Sequence, residues 1–286
     1  MSSTSRLLIV GAGKVGTNLA RLAQSQGHTV TLWNPQPLPI DVQGALEGSP
    51  IALVQKREAT GPFDLVLLAV SDGAQADVAD LVDRWSSTSE VPMAHTSGSL
   101  GPIELKSGRV VGVCHPAFAF PTPNITLERL QTAAFLIDGP DTTRTAFVNL
   151  IDSWGTTAVE APGADRDLYH AACVTASNFL SLVGANASDL LTASGVPEAG
   201  QSPLLHSLMG SVLAHAKEKS FTHAMTGPAA RGDAPTLIAE ATRIAQKAPE
   251  QFNLFLEANL ALLQRHGHTA ATDELMAWLD DMDGEE

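Results

Sequence analysis

The sequence predicts an α/β fold: an N-terminal doubly wound parallel sheet followed by a second, all-helical C-terminal domain. Three observations predict it. Short apolar β-type runs alternate with helical stretches through the first half, a glycine-rich turn joins the first run to the first helix, and long helical segments take over beyond Glu160. The strand candidates, in order, are Leu7–Val10, Thr29–Trp33, Leu65–Val70, Met93–Thr96, Val110–Cys114 and Ala134–Ile137. The helix after Gly13 runs to about Gln26 and stops at Gly27, where glycine takes a left-handed cap with least strain. A second begins at Asp72, as N-cap, and reaches to about Trp85. Between them Pro35, Pro37, Pro39 and Pro50 predict that residues 34–50 are irregular. Ala161-Pro162-Gly163 marks the change of pattern, which gives a first domain of residues 1–161 and a helical domain of residues 162–286.

The chain has 286 residues, 44% hydrophobic and 17% charged, enough for each domain to bury its own core. Its formal charge of −14 opposes attraction to phosphate backbones and anionic lipid, so neither nucleic acid nor a membrane is an expected partner. The tail from Asp280 to Glu286 is acidic and expected to be frayed. Cys114 and Cys173 form no C-x-x-C pair and sit within apolar stretches, so neither a disulfide framework nor a metal site is expected. With no secretory leader before Leu7 and no segment read as approaching membrane-spanning length, the expected location is the cytoplasm.

Gly11-Ala12-Gly13-Lys14-Val15-Gly16 follows a strand and opens a helix, the context in which G-x-G-x-x-G binds a dinucleotide on a Rossmann domain. Gly11 permits the tight turn, Gly13 lets the backbone approach the pyrophosphate, and Gly16 allows close packing of helix on strand. The helix N-terminus offers unpaired N–H groups to the phosphates. At the end of the second strand stands Asn34, where an NAD-selective site places a carboxylate; an amide does not repel a 2′-phosphate, which favours NADP over NAD. Pro35 and Gln36 occupy the positions where a cation would strengthen that choice, leaving Lys14 as the nearby positive charge. Ala69, Val70 and Ser71 end the next clear strand and are expected over the cofactor, their small size allowing close approach of its nicotinamide side.

Several stretches together resemble a known group: bacterial Rossmann-like NAD(P)-binding oxidoreductases with a C-terminal helical domain of unknown function, similar to pyrroline-5-carboxylate reductase and the 6-phosphogluconate dehydrogenase-like group. They are Gly11–Gly16, His95–Gly98, Cys114-His115-Pro116 through Pro121, Tyr169–Ala172 through Ser177-Asn178, and Thr226–Pro228 through Arg231-Gly232-Asp233, and they span most of the chain. The resemblance implies reduction of a C=O or C=N bond by a nicotinamide hydride, an active site between the domains and a homodimer formed through the helical domain. Ala117-Phe118-Ala119 stands where members of that group often carry a glutamine.

Hydride transfer asks the protein for orientation, a proton donor and stabilisation of developing charge. Ser97 and the Gly98 backbone end a strand at the cofactor crevice and could hold a substrate carboxylate or carbonyl. His115 ends another strand and is fixed by Pro116. From Tyr169 to Val183 a helix would align His170, Val174, Ser177, Asn178 and Ser181 on one face, a polar stripe on an otherwise buried helix that must find partners. His170 is the expected proton donor and Asn178 the expected orienting amide. Asp233 is an N-cap for Ala234–Gln246, and Arg231 could clamp a carboxylate or pair with Asp233. The expectation is an NADP-dependent reductase of a small, carboxylate-bearing carbonyl or imine. A nucleotide-binding redox sensor or scaffold without turnover is the alternative.

Overall fold

In a computed structural model, residues 4–283 are described; the first three residues and Gly284-Glu285-Glu286 of the acidic tail lie outside the described residues. The chain divides into two compact units, residues 1–177 and 178–286. All six expected strands form, as β1 (Arg6–Val10), β2 (Thr29–Trp33), β4 (Leu65–Leu68), β5 (Met93–His95), β7 (Val110–Ala117) and β8 (Ala134–Asp138). Three short ones join them: β3 (Ala52–Val54), β6 (Ile103–Glu104) and β9 (Thr157–Glu160). The order across the sheet is β3-β2-β1-β4-β5-β7-β8-β9, with β6 paired to β7 outside that path.

The helices of the first unit are α1 (Lys14–Ser25), α2 (Ile40–Leu46), α3 (Gln75–Asp83), α4 (Leu127–Leu130), α5 (Asp141–Ser153) and α6 (Arg166–Val174). Because side chains of a strand alternate between faces, β1 feeds two cores at once. Leu7 and Ile9 join Leu19, Leu22, Phe147 and Trp154 beneath α1 and α5, while Leu8 and Val10 join Trp33, Val66, Val82 and Trp85 beneath α3. The four β1 residues from Leu7 to Val10 are wholly buried, so both faces are covered as a doubly wound sheet requires.

Three expectations are corrected. The sheet is mixed, since β7 and β8 run antiparallel; their connection holds only the single-turn α4 and builds no crossover helix of the kind that joins parallel neighbours. The stretch from Asn34 to Pro50 contains α2, whose N-cap residue is Pro39, so the prolines bound a helix instead of preventing one. Asp72 is not a cap: a short 3₁₀ turn, Asp72–Ala74, precedes α3, and no side chain caps it.

The second unit begins within a helical run. After α6 a π-helical turn, Thr175–Phe179, leads into α7 (Leu180–Ala193), followed by α8 (Glu198–Glu218), α9 (Pro228–Arg231), α10 (Ala234–Lys247), α11 (Phe252–Arg265) and α12 (Thr269–Asp283). Leu237, Leu256, Leu263 and Leu275 build a core among α10, α11 and α12. Asp233 caps α10 as expected, accepting from the Thr236 N–H at 3.2 Å. Asp280–Asp283, expected to fray, continue α12. The change from strand to helix falls where the sequence places it, after β9, whereas the compact units part later, at Ser177 and Asn178.

Candidate functional site

The glycine turn and the ends of β2 and β4 converge in the first unit. Gly11, at φ +103°, donates its N–H to the Trp33 carbonyl at 2.8 Å. A Cβ on Gly11 would stand 2.6 Å from the Ala69 carbonyl oxygen, and one on Gly16 would stand 1.9 Å from the Gly11 carbonyl oxygen. Glycine at both positions is thus demanded by backbone approach. Gly13 differs. A Cβ there would meet nothing within 4 Å. It is exposed and is the N-cap residue of α1, with no side chain capping the helix. The open side of Gly13 and the uncapped N–H groups leave room and donors that a pyrophosphate would fit. Lys14 is exposed beside it and Val15 half-buried.

Asn34 is tied more closely to this turn than its sequence position indicates. Its Oδ1 accepts from the Ala12 N–H at 3.3 Å, and its Nδ2 donates to the Gln36 carbonyl at 2.7 Å. Ala69 is pinned by its N–H to the Val10 carbonyl at 2.7 Å, and Ser71 is exposed at the mouth of β4. The residues expected to bind cofactor, Gly11 to Gly16 with Asn34 and Ala69 to Ser71, therefore lie around the carboxyl ends of β1, β2 and β4.

Next to them, at the ends of β5 and β7, is a polar cluster. His95 is fully buried and both its nitrogens are used: Nδ1 accepts from the Ser97 N–H at 3.2 Å, which leaves Nε2–H to donate to the Gly101 carbonyl at 2.9 Å. Burial lowers its pKa, and it serves as a neutral brace for the loop. Ser97 is 3% exposed, and its hydroxyl accepts from the Leu100 N–H at 3.1 Å, so it caps this turn where an open substrate contact was expected. Asp72 accepts from the Ser99 hydroxyl at 2.9 Å, and Ser99 lies 3.3 Å from Ser97.

His115 packs closely against this loop, and glycine at residue 98 leaves it room: a Cβ there would come within 2.8 Å of the His115 Nε2. Its Nδ1 lies 2.7 Å from the Tyr169 hydroxyl, with the two rings edge-on at 89°. Burial, and then the nearby Arg166 and His170, push the His115 pKa down to about 4. Asp165 caps α6, accepting from the Leu168 N–H at 3.0 Å, and so fixes where the helix starts. That start delivers Arg166 and Tyr169 to the cluster. Arg166 Nη2 donates to the Gly98 carbonyl at 2.8 Å, and its guanidinium carbon stands 4.7 Å from the centre of the Tyr169 ring. Arg166 Nε and Nη1 are enclosed without a partner among the described residues.

The stripe expected along one face of a buried helix is corrected. No residue from Arg166 to Ala193 is fully buried, and the π turn adds a residue to the repeat, shifting the register between His170 and Ser181. His170 is exposed; Ser177 Oγ donates back to the Cys173 carbonyl at 2.7 Å; Asn178 falls in the second unit. This helical run of 28 residues, with a mean hydropathy of 1.2 over an 18-residue window, is also long and apolar enough by length and composition to cross a membrane, contrary to the expectation that no segment is. Arg166 and Tyr169 were not singled out as site residues. The signal was present in Asp165 as an N-cap, which places both on one face at i, i+3.

Residues 133–259 match the family model described as "Domain of unknown function (DUF2520)". Among solved structures, the chain is similar to a Bacteroides fragilis protein (TM-score 0.71, 19% identity, covering 91% of this chain and 98% of that one). It is also similar to a pyrroline-5-carboxylate reductase from Coxiella burnetii (0.62, 15%, 93% and 98%). The fold is Rossmann-like, with a C-terminal helical domain. A Synechococcus glycerol-3-phosphate dehydrogenase [NAD(P)+] is 28% identical over 134 residues, 46% of this chain. The aligned part spans 38% of that relative's length.

Proposed function

We propose that the protein is an NADP-dependent oxidoreductase that reduces the C=O or C=N bond of a small, carboxylate-bearing substrate. The observation that carries this reading is the juxtaposition, along the carboxyl edge of one sheet, of the Gly11–Gly16 turn with a half-buried cluster of His115, Tyr169 and Arg166. The bound nicotinamide would supply the hydride. The chain's own part is to seat the pyrophosphate at Gly13 and the N-terminus of α1, and to leave the ribose end facing an amide at Asn34. The matched relatives support the reading, since one carries NAD(P)+ in its name and another reduces pyrroline-5-carboxylate.

A carboxylate on the substrate is supported by Arg166. Buried donors without partners are costly, and a carboxylate is the anion whose planar geometry a guanidinium matches. His115, kept neutral, fits a role in hydrogen bonding rather than in charge pairing. The partner in solution is a second copy of the chain, bound through the helical domain. Leu180, Leu182 and Val183 on α7 and Leu204, Leu208 and Val212 on α8 expose apolar side chains that a homodimer would cover. Free Cys114 and Cys173 suit the reducing cytoplasm.

Titration of the purified chain with NADPH and NADH, followed by a screen of 2-oxo acids and cyclic imines for nucleotide oxidation, tests the reading. Preferential NADPH binding with turnover of one class supports it. Binding without turnover of any member replaces it with the redox-sensor reading.

A further inference from the structure

We propose that Tyr169 is the proton-transferring group of this site and that His115 positions it. The inference rests on the reductase reading. As hydride is received at the carbon of the double bond, its π pair moves to the nitrogen or oxygen. The Tyr169 O–H bond breaks and the new N–H or O–H bond forms. The phenolate left behind regains its proton from water.

Four observations carry this assignment. Tyr169 is the single tyrosine of the chain, and it lies on the first turn of α6 where the Asp165 cap sets the helix start. Its hydroxyl is 2.7 Å from His115 Nδ1, and His115 is itself seated by the close approach of Gly98. The Arg166 guanidinium over the ring, 4.7 Å from its centre, stabilises negative charge that develops on the phenol. His170, the donor expected from sequence, is exposed, whereas Tyr169 is half-buried beside the loop at the end of β5. Desolvation raises the Tyr169 pKa, so the phenol holds its proton at neutral pH until the substrate anion develops. Burial keeps His115 neutral; in the tautomer with the proton on Nδ1 it donates to the Tyr169 oxygen, so the phenolic hydrogen is not committed to His115 and can turn from its neighbour Cys173 to substrate.

The test uses the full chain, NADPH, and the panel of 2-oxo acids and cyclic imines. Tyr169→Phe removes one oxygen, and the expected result is NADPH affinity within about twofold of the unsubstituted chain with kcat lower by about 10²- to 10⁴-fold. The solvent deuterium isotope effect on kcat should change in Tyr169→Phe. His115→Ala should also lower kcat, and His115→Asn, which keeps a hydrogen-bonding atom near the Nδ1 position, should restore part of the loss. If the unsubstituted chain turns over a substrate and Tyr169→Phe retains its kcat and isotope effect, the assignment is overturned and the reductase reading survives. A chain that binds neither nucleotide, or reduces nothing in the panel, overturns both.

Discussion

His115 Nδ1 and the Tyr169 hydroxyl stand 2.7 Å apart, joining a sheet strand to a helix that begins beyond the last strand. Burial holds the imidazole neutral, and that has a consequence for stability. The group titrates from an ordinary 6.5 when unfolded and about 4 when folded. Above the unfolded value neither state carries the proton and the group contributes no pH dependence. Between the two values the unfolded chain binds a proton that the native state does not, so stability falls as pH drops from about 6.5 to about 4. The loss approaches roughly 3 kcal/mol at the acid end. His95, whose pKa is also lowered by burial, acts in the same direction. Urea unfolding should therefore show a lower midpoint near pH 5 than near pH 7, with His115→Asn flattening part of the slope. Equal midpoints at the two pH values would contradict a neutral, enclosed His115.

Gly13 and Gly16 of the turn should separate in their consequences. Gly13→Ala adds a methyl group that meets nothing within 4 Å, so thermal stability should change little while the pyrophosphate loses its close approach. Gly16→Ala places its methyl carbon 1.9 Å from the Gly11 carbonyl oxygen and cannot be accommodated without moving α1. It should lower the melting temperature by several degrees, the cost of about 1–3 kcal/mol expected for overpacking. Calorimetry and NADPH titration of both variants read the two effects apart. A Gly13→Ala chain that binds NADPH as tightly as the parent would remove the turn from the cofactor site.

Most of the sheet was legible because its strands are short apolar runs and its turn has a motif with a mechanism. What the sequence did not disclose depends on contacts distant along the chain. The reversal of β8 follows from a connection too poor in helix to cross over, and α2 is hidden by the prolines that flank it. At the site, the residue types at 97 and 115 were legible, but their roles were not. Ser97 reads as an open hydroxyl until Leu100 is seen to donate to it, and His115 gains its meaning from Tyr169 and from the absence of a side chain at Gly98. The polar stripe failed for a local reason, since ideal helical spacing does not allow for a π turn at Thr175–Phe179.

Asn34→Asp tests the nucleotide preference. Aspartate retains an oxygen for the Ala12 N–H but places negative charge where a 2′-phosphate would lie, and it loses the donor to the Gln36 carbonyl. NADPH should bind at least about tenfold more weakly, a change of roughly 1.4 kcal/mol, while NADH binding weakens less or improves. Fluorescence titration with both nucleotides measures the ratio. A parallel loss for NADPH and NADH would assign Asn34 to shaping the turn alone.

The exposed apolar faces of α7 and α8 give the last prediction. Leu208, on α8, is 64% exposed, so a charge there costs little within its own chain, yet Leu180, Leu182 and Val183 on α7 and Leu204 and Val212 on α8 are likewise exposed. The proposed homodimer would bury this apolar surface symmetrically. Leu208→Glu would bring two carboxylates into that covered surface, where unpaired charge is strongly disfavoured. Light scattering should report a dimer for the unsubstituted chain and a shift toward monomer for Leu208→Glu, with far-UV circular dichroism preserved. A monomeric parent chain would show that these faces are covered by something other than a second copy.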